Sequence, residues 1–127
     1  MERFLWICLA GALGTGARYA VGLWATARFG TTFPAGTLIV NVLGCFLMGV
    51  VVQASVVSAS LSPTLRLALT TGFLGGLTTY SAFNYETFRL MQEGTRLFAV
   101  ANALITLLGC FLAGVLGVWL VRRFTSM

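Results

Sequence analysis

Residues 72–86 read GFLGGLTTYSAFNYE and carry the side chains best suited to ion chemistry in a sequence that is otherwise mostly apolar. Three glycines allow a helix to open, and backbone carbonyls freed near Gly75 and Thr78 are the type of ligand that holds cations in membrane channels. Four aromatic rings share the run, and ring edges carry the partial positive charge that attracts small anions. The run therefore predicts a site where the protein handles an ion.

Arg18 and Asn41 are polar residues placed well inside apolar stretches. A membrane arginine must reach the interface, pair with an acid or face a water-filled cavity. One interpretation pairs Arg18 with Glu86, and the other gives it a vestibule whose positive potential attracts anions. A buried amide is costly without a polar contact, so Asn41 serves either helix packing or an ion. No carboxylate lies near the centre of an apolar stretch, so the internal field favours an anion.

Small or polar residues recur at every fourth position in three apolar stretches, which places each set on one helix face. The rows are Ala10, Gly14, Arg18 and Gly22; Thr37, Asn41, Cys45, Gly49 and Gln53; and Asn102, Thr106, Cys110 and Gly114. Such rows either let two helices approach closely or line a polar path between them.

The composition limits the possible functions. The chain is 58% hydrophobic and 9% charged, which is typical of membrane proteins. It has no histidine, lysine or aspartate, so the usual catalytic triads and carboxylate pairs are missing, and an enzyme is not expected. The arginines are scattered and form no basic stripe for nucleic acid. Cys8, Cys45 and Cys110 lack metal-site spacing and are interpreted as small buried hydrophobes.

Hydropathy predicts an all-α membrane protein with a single domain over residues 1–127. Each apolar stretch approaches or exceeds the ~20 residues that a helix needs to cross a bilayer. The four predicted spans are 4–27, 35–57, 65–90 and 97–121. The loops between them fall at residues 28–34, 58–63 and 92–96. A signal peptide in place of the first span is disfavoured, because apolar sequence continues through Ala27.

Four spans place both termini on one side of the membrane, and the orienting charges are then almost balanced. One side holds Arg3, Arg66, Arg122 and Arg123; the other holds Arg28, Arg89 and Arg96. Orientation normally follows an excess of basic residues on the cytoplasmic side. The balance is either chance or the sign of a chain that inserts both ways up and dimerises antiparallel.

Two segments, GTLIVN at 36–41 and TGFLGGLTT at 71–79, together with Arg18 and Glu86, resemble the CrcB/Fluc family of fluoride channels. The likeness covers nearly the whole chain. It implies a passive fluoride-selective channel in a bacterial inner membrane, which lowers cytoplasmic fluoride. It also implies an antiparallel, dual-topology homodimer with two separate pores and a broken third helix.

The resemblance also implies roles for individual residues. Backbone carbonyls of Gly75 and Thr78 from both copies would hold a structural sodium ion that is not transported. Arg18 would line the aqueous vestibule. The fluoride pathway would contain Asn41, Tyr80, Ser81, Phe83 and Thr106, with Asn102 extending the polar row.

The sequence departs from the family pattern near the expected pore. Residues 79–84 read TYSAFN, where the family usually shows TFSTFS, so Tyr80 adds a phenol and Ala82 lacks a hydroxyl. Cys110 and Gly114 occupy positions where other members often carry hydroxyls.

Two other functions are compatible with four short spans. A small multidrug exporter would share the size and the dual topology, but it needs a titratable carboxylate within the membrane, and Glu86 lies near the end of its span. A non-transporting accessory subunit would use the polar rows for packing alone. It would produce no ion flux by itself.

Overall fold

The computed structural model describes residues 1–57 and 61–125, and all regular structure in these ranges is helical. The elements are α1 (Glu2–Phe29), α2 (Ala35–Val57), α3 (Pro63–Leu67), the π-helical segment π1 (Ala68–Leu74), α4 (Gly75–Leu77), α5 (Tyr80–Gln92) and α6 (Arg96–Thr125). The predicted all-α fold class is thereby confirmed.

Three helices within the described residues are long and apolar enough to cross a membrane: α1, α2 and α6. They correspond to the first, second and fourth predicted spans. The first connection turns at Gly30, whose φ of 78° suits glycine, and Pro34 precedes α2. The predicted second loop, residues 58–63, lies partly outside the described residues.

The third predicted span, residues 65–90, consists of several shorter elements. Ser62 caps the start of α3 by accepting a hydrogen bond from Leu65 N, and Pro63 occupies the first helical position. Thr78 and Thr79 between α4 and α5 are extended, with φ/ψ of −85°/155° and −153°/116°. Thr79 is also the N-cap of α5, because its hydroxyl accepts from Ala82 N at 3.2 Å.

Gly72, Gly75 and Gly76 were expected to open the helix, but all three remain helical. Gly75 has φ/ψ of −64°/−36°, and α4 continues to Leu77. Their absent side chains instead allow α1 to pack against π1 and α4. A Cβ on Gly76 would collide with Gly11 O, and a Cβ on Gly72 would lie 2.8 Å from Ile7 O. Gly72 and Gly76 therefore allow close contact with α1, and the extended residues are the two threonines that follow α4.

Close packing also joins α2 to α6. A Cβ on Gly49 would collide with the Gly114 carbonyl, and one on Gly117 would collide with Phe46 O. Small residues at a helix interface let the backbones approach in this way. Val40 of α2 packs with Leu74 and Leu77 in a small buried core, which fixes α2 against the segment before Thr78.

Candidate functional site

The extended residues after α4 are held by the side-chain amide of Asn41. Asn41 Nδ2 donates to Thr79 O at 3.0 Å, and Thr79 N donates to Asn41 Oδ1 at 2.8 Å. Both bonds are buried, and Asn41 is only 7% exposed. The amide thus replaces the helical partners that Thr79 gives up, which meets the cost of exposing backbone in an apolar setting. We call this pair the Asn41–Thr79 clamp.

The clamp and the cap of α5 redirect two backbone donors. In an uninterrupted α-helix Thr79 N would bond Gly75 O, and Ala82 N would bond Thr78 O. Thr79 N instead bonds Asn41, and Ala82 N instead bonds the Thr79 hydroxyl. The carbonyls of Gly75 and Thr78 therefore lose their usual helical donors. The Thr78 hydroxyl is engaged separately, because it donates to Leu74 O at 2.9 Å.

A cavity of about 300 Å³ brings together four of the residues predicted for a fluoride pathway: Asn41, Tyr80, Phe83 and Thr106. We call it the aromatic cavity. Thr78 and Thr79 also line it, so the interruption between α4 and α5 forms part of its wall. Ser81 is exposed outside this lining, and its hydroxyl lies 3.1 Å from the Thr79 hydroxyl.

Tyr80 and Phe83 form the aromatic part of this cavity. Their ring centroids are 5.6 Å apart and the rings are tilted by 51°. Tilted pairs of this kind place the edge of one ring towards the other. Phe83 is 7% exposed, whereas Tyr80 is 75% exposed in the single chain. Tyr80 therefore has a free ring surface, while Phe83 is held in place by the protein.

A hydrogen-bond chain connects α5 with α6 behind Phe83. Asn102 Nδ2 donates to Thr87 Oγ1 at 2.8 Å, and the Thr87 hydroxyl donates to Phe83 O at 2.7 Å. Thr106 Oγ1 lies 3.5 Å from Asn102 Oδ1. Thr87 was not among the predicted site residues. Its position four residues after Phe83 is the feature that indicates this contact, because a threonine hydroxyl in a helix can donate to the carbonyl one turn earlier.

Arg18 lies on a separate cavity of about 350 Å³, lined also by Thr37, Thr79 and Ala82. We call it the arginine cavity. Thr79 lines both this cavity and the aromatic cavity, so the Asn41–Thr79 clamp stands between them. The guanidinium places a positive charge beside the cavity wall, which raises the potential for an anion there.

The interpretation that pairs Arg18 with Glu86 is not supported within residues 1–57 and 61–125, where these two side chains form no ion pair. Glu86 Oε1 instead accepts a hydrogen bond from the Thr37 hydroxyl at 2.8 Å. Among these residues the ion pair at this end of α5 joins Arg89 to Glu93 at 4.0 Å. The small hydroxyl of Thr37 lies close to Glu86 across the α2–α5 contact, whereas Arg18 lines the separate arginine cavity.

The protein has three long apolar helices, buried polar side chains and backbone that is held by the side-chain amide of Asn41. These features are those of the multi-pass α-helical membrane proteins. The family model described as CrcB-like protein, Camphor Resistance (CrcB), matches residues 5–118. The chain belongs to this family.

Curated relatives cover nearly the full length of the chain. A protein of Sorangium cellulosum named fluoride-specific ion channel FluC is 53% identical over 126 residues, 99% of both chains. Proteins of the same name from Citrifermentans bemidjiense and Anaeromyxobacter dehalogenans are 47% and 50% identical over 122 residues. These alignments cover 96% of this chain and 98% and 97% of the relatives. All three relatives are named as ion channels, which are not enzymes, in agreement with the prediction that the chain is not an enzyme.

Proposed function

We propose that the protein is a passive fluoride-selective channel of a bacterial inner membrane that lowers cytoplasmic fluoride. The observation that carries this proposal is the aromatic cavity, where an amide, a hydroxyl and two aromatic rings converge beside a gap in the helical path. The names of the curated relatives support fluoride as the ion.

Each residue of the pathway has a physical role in this proposal. Arg18 draws fluoride into the arginine cavity by its charge. Asn41 uses one amide hydrogen on Thr79 O, and its second remains for fluoride. Tyr80 and Phe83 offer ring edges, while Ser81 and Thr106 contribute hydroxyls. These contacts replace water around fluoride without binding it too tightly for release.

Passive flow suffices for export. Fluoride enters acidified cells as neutral HF and ionises inside, where the anion accumulates. A negative membrane potential then drives the anion outward through any selective pathway. No carboxylate near the centre of a span is needed, which separates this proposal from a proton-coupled multidrug exporter; Glu86 is engaged by Thr37 at the end of its span.

The active assembly is proposed as an antiparallel, dual-topology homodimer. Residues 63–92 would form the third of four crossings of a single membrane domain, with Thr78 and Thr79 as a break in that helix. The near balance of arginines on the two sides supports insertion in both orientations. Tyr80 and Ser81, which are exposed in the single chain, would then face the second copy or the pore that it completes.

A structural sodium ion fits the chemistry of this break. The carbonyls of Gly75 and Thr78 lack their usual helical donors, and neutral carbonyl oxygens are suitable ligands for sodium. Gly75 is exposed in the single chain, so its carbonyl is accessible to a second copy. These two residues from both copies would hold the ion, which would supply a fixed positive charge at the dimer centre.

Fluoride efflux from liposomes tests the function. Purified protein reconstituted into fluoride-loaded vesicles should release fluoride faster than empty vesicles, as read with a fluoride electrode, and chloride should pass far more slowly. Substituting Asn41 or Phe83 should reduce the fluoride rate. Fluoride release no faster than that of empty vesicles would refute the channel and favour an accessory subunit, and a preference for chloride would refute the selectivity.

A further inference from the structure

Cys45 and Cys110 are neighbours across the contact between α2 and α6. Cys45 follows Asn41 by one helical turn and Cys110 follows Thr106 by one turn, so the thiols continue the two polar rows. Both thiols are partly buried, and the two residues line the same two cavities. The interpretation of all three cysteines as buried side chains is therefore wrong. Cys8 is exposed, and the other two form a pair.

The position of the pair gives it access to the interior of the protein. Both cysteines line the aromatic cavity, and both also line an adjoining cavity of about 650 Å³. The polar residues that line the first cavity include Asn41 and Thr106. The second cavity is lined mainly by apolar side chains such as Met48, Val52 and Phe111. The thiols thus lie where polar side chains meet an apolar wall.

We propose that Cys45 and Cys110 form a binding site for a soft divalent metal ion that prefers two sulfur ligands in line, the class represented by Hg²⁺. Two thiols on facing helices supply the two sulfur ligands that such an ion takes, and thiolates are the protein ligands that soft metals select. On binding, both S–H bonds break, two sulfur–metal bonds form and two protons pass to water. No group is oxidised or reduced.

The charge balance favours this class of metal at this place. Two thiolates neutralise a divalent ion, so the bound complex carries no net charge. An uncompensated charge in apolar surroundings would be costly, and the neutral complex avoids that cost. Cys8 on α1 is exposed and lines neither of these cavities, so Cys8→Ser removes a competing thiol without altering the pair.

Metal retention by the full chain tests the site directly. Reduced Cys8→Ser protein in detergent is mixed with Hg²⁺, passed through a gel-filtration column containing a dilute monothiol, and analysed for mercury by mass spectrometry. One mercury ion per chain should be retained, because two tethered thiols outcompete a free monothiol. Adding Cys45→Ser or Cys110→Ser should abolish retention, with alanine variants used where serine prevents purification.

Equal retention by the single-thiol and two-thiol proteins would overturn the proposal, as would no retention by Cys8→Ser.

A second measurement addresses the pathway and depends on the proposed function. Hg²⁺ should slow fluoride efflux through Cys8→Ser but leave the rate of Cys8→Ser/Cys45→Ser at its own metal-free value. Retained mercury with unchanged efflux supports the metal site and refutes its place in the pathway. Absence of efflux before mercury is added refutes the channel, while the retention assay still decides the site.

Discussion

At the scale of single residues, the central feature is the use of one amide to hold two backbone groups. Asn41 bonds both N–H and C=O of Thr79, and the Thr79 hydroxyl in turn caps α5. This arrangement gives the N–H and C=O of the extended, buried Thr79 a hydrogen-bond partner each. It also redirects the donors that would otherwise occupy Gly75 O and Thr78 O. The side chain of Asn41 therefore links the aromatic cavity to the proposed sodium ligands.

Replacing Asn41 by Leu should destabilise the protein as well as slow fluoride. The Thr79 N–H and C=O would each lose a buried partner, at about 1–3 kcal/mol per group. The midpoint of thermal unfolding in detergent should fall clearly, and the dependence of efflux on sodium should change. Ser55→Ala is the matched control on α2, because its hydroxyl donates to Val52 O within the same helix. A stable Asn41→Leu protein would contradict the clamp.

The cap residue gives an independent test of the carbonyl arrangement. Thr79→Val keeps the shape of the side chain but removes the oxygen that accepts from Ala82 N, at about 1 kcal/mol. Ala82 N then becomes available to Thr78 O, which should weaken sodium retention by the dimer. Thr79→Ser keeps the oxygen and should behave like the native protein. To measure sodium retention, sodium is replaced by a larger cation, and the amount of dimer and the rate of fluoride efflux are then assayed. Equal results for Thr79→Val and Thr79→Ser would oppose the assignment of Thr78 O as a sodium ligand.

The aromatic rings can be separated from the phenol hydroxyl by two variants of Tyr80. Tyr80→Phe keeps the ring that lies 5.6 Å from Phe83 and should retain fluoride efflux. Tyr80→Leu removes the ring edge and should lose most of it, with little effect on unfolding because this residue is exposed in the chain. Efflux from matched proteoliposomes distinguishes the two. Loss of efflux in Tyr80→Phe alone would assign the role to the hydroxyl instead.

At the scale of elements, glycine contacts hold the helices that carry the site. Gly14 and Gly16 in α1 form a matched pair, since a Cβ on Gly14 would collide with Phe73 O and one on Gly16 would meet nothing within 4 Å. Gly14→Ala should cost about 1–3 kcal/mol by overpacking. Gly16→Ala should be neutral or gain up to about 1 kcal/mol from helix propensity. Thermal unfolding of both in detergent checks this, and equal stability would contradict the packing of α1 on π1.

The sequence predicts the long helices well because each needs only local information. α1, α2 and α6 are apolar stretches of sufficient length, and turn residues such as Gly30 separate them. The glycine run was harder to interpret, since Gly72 and Gly76 serve contacts with α1 that local sequence does not reveal.

The candidate site was predictable in its residue types and not in its pairings. A buried amide at Asn41 requires a polar partner, but that partner lies 38 positions away at Thr79. Thr37 likewise bonds Glu86 over 49 positions, whereas the alternative pairing of Glu86 with Arg18 is not formed in the described residues. The proximity of Cys45 to Cys110 depends on the close approach of α2 and α6, which small residues permit and periodicity alone does not locate.

At the scale of the whole molecule, the exposed apolar faces and balanced charges bear on assembly. The outward surface of the single chain includes large side chains such as Trp24, Leu108 and Phe111, which suit lipid or a second copy. The arginines divide four to three between the two predicted sides, counting Arg3, Arg66, Arg122 and Arg123 against Arg28, Arg89 and Arg96. So small a difference leaves the orientation sensitive to a few added charges.

Dual topology can therefore be tested by biasing orientation in both directions. Thr31→Lys with Thr32→Lys adds positive charge to the first loop, and Ser62→Lys with Thr64→Lys adds it to the opposite side, near the start of α3. Each pair should drive its chain into one orientation, because basic loops stay in the cytoplasm.

An antiparallel dimer then cannot form from either variant alone, and cells carrying one variant should lose fluoride resistance. Co-expression of the two should restore it, since each supplies the orientation that the other lacks. Full resistance from both variants expressed singly, with topology reporters showing a fixed orientation, would refute the antiparallel dimer.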